Sequence, residues 1–125
     1  MSANEASKPC RRGLKNTRIW NICTFDNSLL ELPEDMLDCM TSLTFIHLGM
    51  HIHLQKLPSF KNLKSLKALT LALFVELVEL PAFESLSNLE RLVLSYVPSI
   101  MTIPDLTALQ KLKTFAGLVL QWIHL

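Results

Sequence analysis

Three histidines, His47, His51 and His53, follow the spacing H-x-x-x-H-x-H, and imidazole is a common metal ligand. This is the first place where the chain could do chemistry, provided one element aims all three rings at a common centre. The cysteines, Cys10, Cys23 and Cys39, are odd in number and lack metal-knuckle spacing; a disulfide between two of them stays open, and with it the redox compartment. Glu34 and Asp35 are adjacent carboxylates just after Pro33, where solvated turn residues are a simpler reading than an acid–base couple. No G-x-S-x-G elbow is present, and Gly13, Gly49 and Gly117 are too dispersed to form a phosphate-cradling loop. These residues imply no catalytic centre and no cofactor, so the expectation is that the protein is not an enzyme.

The elements that would position such residues come from a repeat. Leucine supplies 26 of the 125 residues, and half the chain is hydrophobic, which excludes a disordered class. Leu57-Pro58, Leu80-Pro81 and Ile103-Pro104 recur every 23 residues, preceded by Leu32-Pro33. With Leu43 as position 1, positions 1, 4, 6, 9, 12, 15, 18 and 21 are Leu43, Ile46, Leu48, His51, Leu54, Leu57, Phe60 and Leu63. The next unit gives Leu66, Leu69, Leu71, Phe74, Leu77, Leu80, Phe83 and Leu86, and the third gives Leu89, Leu92, Leu94, Val97, Ile100, Ile103, Leu106 and Leu109. Alternation at positions 3 to 6 is that of a short strand with 4 and 6 inward. The later period of three belongs to an extended or 3₁₀-like return, with proline denying a ladder bond after position 15. One such coil cannot bury its own apolar edge, so coils must stack. Strands are expected near 20–24, 44–48, 67–71, 90–94 and 113–117, with no helix beyond two turns except at 34–41. In this frame His47, His51 and His53 diverge, so no metal site is expected.

A first unit lies upstream, with Ile19, Ile22, Thr24, Asn27, Leu29 and Leu32-Pro33 fitting L-x-x-L-x-L-x-x-N-x-L-x-x-L-P. On these motifs, residues 19–125 resemble a leucine-rich repeat protein. The extra residue of the later units makes them similar to repeats of plant disease-resistance proteins. Segments such as Leu94-Ser95-Tyr96-Val97-Pro98 are similar to repeats of large oomycete membrane proteins. The resemblance implies an α/β leucine-rich repeat solenoid of four to five repeats, with a short parallel concave sheet and an irregular or 3₁₀ convex side. It also implies a recognition or immune-type parent, which could be membrane-associated. The chain departs from these families at position 9, where Asn or Cys is usual; His51, Phe74 and Val97 stand there, so packing must replace part of a polar spine.

Equal positions of neighbouring coils should lie about 5 Å apart. Lys56 then falls beside Glu79, Lys61 beside Glu84, His53 beside Glu76, and Lys67 beside Glu90 and then Lys113. Such pairs mark register more than they stabilise, and they absorb what looks like a basic patch. The formal net charge of +1 gives no reason to expect a nucleic-acid partner or membrane-surface contact. Residues 1–18 are polar and basic, a composition compatible with a disordered tail or a charged arm, and they hold no apolar signal-like stretch.

The functional candidate is the concave strand face. Its outward positions 3, 5 and 8 are Phe45, His47 and Met50; Ala68, Thr70 and Leu73; and Arg91, Val93 and Tyr96, over small residues Gly49, Ala72 and Ser95 at position 7. Met50, Leu73 and Tyr96, with Val119 beyond, make an apolar ridge suited to a protein partner. The competing reading is a structural piece of a larger repeat protein without activity of its own. The fourth unit places Gly117 in a core slot and reaches Leu120 and Ile123 before its Leu-Pro, so an incomplete array that self-associates through its C-terminal edge is expected.

Overall fold

The computed structural model describes residues 16–22, 32, 34–50 and 52–117. The sequence readings that rest on the tail before residue 16, on Cys10, Cys23, Thr24, Asn27, Leu29 and His51, and on Val119, Leu120 and Ile123 lie outside these residues. Five strands are present: β1 (Ile19–Ile22), β2 (Phe45–Gly49), β3 (Ala68–Ala72), β4 (Arg91–Ser95) and β5 (Thr114–Gly117). They pair in chain order in one parallel sheet, so the chain is a β-solenoid of about four turns.

The register is the predicted one for the later coils. Phe45 pairs with Ala68, Ala68 with Arg91 and Arg91 with Thr114, a step of 23 residues that also separates His53 from its partner Glu76. Positions 4 and 6 of three successive coils, Ile46 and Leu48, Leu69 and Leu71, and Leu92 and Leu94, are buried. The strands begin one residue later than predicted because the residue before each accepts two bonds at once. Lys67 N and Ala68 N both donate to Thr44 O (2.9 and 3.1 Å), and Glu90 N and Arg91 N both donate to Lys67 O (2.8 and 3.0 Å). That forked bond precedes the regular ladder.

The return side explains the period of three. Leu63 N donates to Phe60 O and Leu66 N to Leu63 O (3.1 and 3.2 Å), and Leu86, Leu89, Leu109 and Leu112 repeat the pattern. Each inward residue closes a three-residue turn on the inward residue before it, so apolar side chains at i and i+3 stay on one side. The ring faces of Phe60 and Phe83 stack inside, with centroids 6.3 Å apart. No α-helix is present among the described residues, so the solenoid and its parallel sheet stand without the α part of an α/β class, and the segment 34–41, where the sequence allows a helix, forms turns. There, Asp38 N donates to Asp35 O and Met40 N to Leu37 O, again closing three-residue turns.

The first coil differs from its predicted frame. Ile19 pairs with Phe45, so Ile19 stands at position 3, not 1, and it is 63% exposed while Trp20 packs against the core. The step here is 26 residues, as in the bond from Thr44 Oγ1 to Arg18 O. The longer return shifts the inward phase by two residues.

Candidate interaction surface

The strand positions fix two columns on the outer face of the sheet. Ile19, Phe45, Ala68, Arg91 and Thr114 form one; Asn21, His47, Thr70, Val93 and Ala116 form the other. All the predicted strand residues of the face are thus brought together, and Ile19 and Asn21 extend it at the end the sequence frame had misplaced. Phe45, His47, Thr70 and Val93 are half-buried by their neighbours, while Arg91 is exposed. The His47 ring meets Phe45 edge to face, with centroids 6.4 Å apart and an interplanar angle of 72°.

A third column, at the ends of the strands, carries Met50, Leu73 and Tyr96. Met50 is half-buried, Leu73 is 43% exposed and Tyr96 is 48% exposed. Each follows the last residue of its strand, and each has a positive φ: 65° at Met50, 60° at Leu73 and 55° at Tyr96. This is the left-handed region, where the Cβ of an L-residue crowds the following carbonyl at a cost of roughly 1–2 kcal/mol. The backbone is held there by the ladder on both sides. Met50 N donates to Ala72 O (3.0 Å), Leu73 N to Ser95 O (2.9 Å) and Phe74 N to Tyr96 O (3.2 Å). The left-handed residue turns the chain out of the sheet at the same place in each coil, so the three side chains stand in a row at the strand spacing. Gly49, Ala72 and Ser95 sit one residue before them, and their small side chains leave the row uncrowded.

The other predicted chemistry separates. His47 lies on the sheet face, whereas His53 lies in the turn beyond it, its Nδ1 3.0 Å from Glu76 Oε1. Among the described residues no group of His, Cys, Asp and Glu is gathered as metal ligands are. Glu34 and Asp35 are exposed, and their carbonyls accept bonds from Ser59 N and Asp38 N. Cys39 is buried, and the other two cysteines lie outside the described residues.

The charge columns hold in part. His53 meets Glu76 as expected, and Lys113 Nζ reaches Glu90 Oε1 at 3.3 Å. Lys61 turns the other way, to Asp38 Oδ2 at 3.4 Å, instead of to Glu84. Among the described residues Lys56 and Glu79 do not close to ion-pair distance, nor do Lys67 and Glu90. Among the described residues no helix is long and apolar enough to cross a membrane. The chain matches no protein-family model, and no curated protein is significantly similar to it.

Proposed function

We propose that this chain is a non-catalytic leucine-rich repeat module that binds another protein through the outer face of its sheet. The residues involved are Phe45, His47, Met50, Thr70, Leu73, Arg91, Val93 and Tyr96. One observation carries the reading: three consecutive coils place a large, non-glycine side chain in a left-handed conformation and leave it exposed or half-exposed. Glycine or asparagine would make the same turn at lower cost. A strained position that keeps its side chain is explained when that side chain has a role outside the fold. The row has an aromatic and a flexible thioether at its ends, Arg91 stands on the same face at the opposite end of β4, and these residue types anchor protein interfaces.

The test uses the whole chain with a photoreactive phenylalanine analogue at position 73 or 96, or at Ser87 on the return side as control. Adducts to the same protein from positions 73 and 96, with none from 87, are expected. Leu73→Asp and Tyr96→Ala should then weaken recovery of that protein while changing the thermal midpoint much less than a core truncation does, since both side chains are partly exposed and lie outside the buried core. Equal labelling from both faces refutes the reading, as does equal loss of folding and recovery.

A further inference from the structure

A groove of about 400 Å³ runs along the side of the solenoid where the strands begin, lined by Arg18, Ser42, Thr44, Ser65, Lys67 and Asn88. These residues sit immediately before the first strand or flank Leu43, Leu66 and Leu89, which have no exposed surface. Burial of each leucine therefore turns its two neighbours outward, and four successive coils contribute to the lining. The lining holds two cations and no carboxylate. Neither Arg18 nor Lys67 has an ion-pair partner among the described residues, and Glu90, the acid nearest in the column, is engaged by Lys113 at 3.3 Å.

The polar atoms of the groove divide into used and unused ones. Thr44 Oγ1 donates to Arg18 O at 3.2 Å. Asn88 is committed at both ends, its Nδ2 donating to Lys64 O (2.6 Å) and its Oδ1 accepting from Lys111 Nζ (2.7 Å). That second bond draws a third cation, the Lys111 ammonium, to the end of the groove. The carbonyls of Arg18, Thr44 and Lys67 each accept two backbone N–H groups from the next coil, so the lone pairs that would repel an anion are occupied. The hydroxyls of Ser42 and Ser65 have no hydrogen-bond partner among the described residues, and each is free to donate.

We propose that this groove binds a tetrahedral oxyanion of the phosphate or sulfate kind. The Arg18 guanidinium supplies a two-pronged contact, the Lys67 ammonium a point charge, and Ser42 and Ser65 neutral donors. The volume exceeds the share of about ten water molecules and falls in the range of small-ligand sites, so an organic group attached to the anion also fits. The site is on a different side of the coil from the strand face and does not depend on the role proposed for it.

The test is calorimetric titration of the full chain with inorganic phosphate and, separately, with phenyl phosphate, at constant ionic strength set by chloride. Saturable one-to-one binding is expected. Arg18→Ala and Lys67→Ala should each weaken it about tenfold, the scale of one charge-assisted hydrogen bond. Lys64→Ala, an exposed cation that does not line the groove, should change it less than about twofold on the small scale of exposed charges. All three side chains are exposed, and circular dichroism establishes that each variant is folded. Equal affinity for the two probes assigns the free anion, and tighter binding of phenyl phosphate assigns a monoester. Absence of saturable binding overturns the proposal, as does a loss from Lys64→Ala equal to that from Lys67→Ala.

Discussion

Leu73 and the residue before it should respond to glycine with opposite signs. Ala72 ends strand β3 in ordinary extended backbone, whereas Leu73 has φ 60°. In a strand, replacing alanine by glycine costs roughly 0.5–1 kcal/mol, because glycine loses more freedom on folding. At a left-handed position the same exchange also removes a Cβ clash worth roughly 1–2 kcal/mol. The comparison that isolates the backbone is therefore Leu73→Ala against Leu73→Gly, since both remove the same partly exposed isopropyl group and differ only in the Cβ. Subtracting the two terms, Leu73→Gly should be more stable than Leu73→Ala by about 0.5–1 kcal/mol. Ala72→Gly should be less stable than the parent by a similar amount. Equilibrium urea unfolding resolves this, because a denaturant slope of about 1–3 kcal/mol/M converts the difference into a midpoint shift of a few tenths molar. If Leu73→Ala is as stable as Leu73→Gly, the left-handed turn is not an energetic feature of this chain. The argument that its side chains are kept for a partner then falls with it.

Three further outcomes are expected. A Cβ at Gly117 would lie 2.5 Å from the Leu94 carbonyl oxygen, so Gly117→Ala should destabilise by about 1–3 kcal/mol; a gain of stability in urea unfolding would mean β5 has room that this geometry denies. Phe83→Ala removes a fully buried ring stacked on Phe60 and should cost about 3–5 kcal/mol, whereas loss of the exposed His53–Glu76 pair should cost under about 1 kcal/mol; comparable losses would refute the view that packing holds the coils together. The Asp105 carboxyl accepts the Thr107 N–H at 2.9 Å, and that bond, with the Thr107 hydroxyl, holds its pKa below the usual carboxylate range. Because the folded pKa is the lower one, the contribution is present at neutral pH and is lost only as pH falls through that depressed value. Carboxyl-carbon NMR should show Asp105 titrating below an unfolded reference with the Thr107 amide following it, and an ordinary midpoint would rule the bond out.

What the sequence made legible depended on how many positions voted for one phase. From Leu43 to Leu109, inward residues at eight positions per coil leave one register, and the paired strands obey it. In the first coil, Ile19, Trp20 and Ile22 are all apolar within four residues, so hydrophobicity cannot choose among phases, and a 26-residue step defeats extrapolation. The left-handed turn gave no residue signal either, because the positions that adopt it are Met, Leu and Tyr, and the nearby Gly49 lies one residue too early. Gly117 does stand in the column of Leu48, Leu71 and Leu94, and it also permits close approach of β5 to Leu94, a contact that depends on backbone distance rather than on pattern. The outer-face columns followed from register alone. The groove did not, because composition joins Arg18 to the basic tail and the 23-residue register pairs Lys67 with Glu90.

Among the described residues, the side-chain bonds to main-chain carbonyls of a neighbouring coil run one way, whereas the His53–Glu76 pair runs the other. Thr44 donates to Arg18 O, Asn62 to Asp38 O, Asn88 to Lys64 O and Ser99 to Val75 O, in each case from the later residue to a carbonyl one coil earlier. During synthesis, the acceptor of every such bond has left the ribosome before its donor. At the usual pace of about 5–20 residues per second, a new coil of 23 residues emerges every 1–5 s and meets a neighbour already made. For these four bonds, each turn presents its carbonyls to the turn that follows, while the backbone bonds from Met50, Leu73 and Phe74 wait for carbonyls of the later coil.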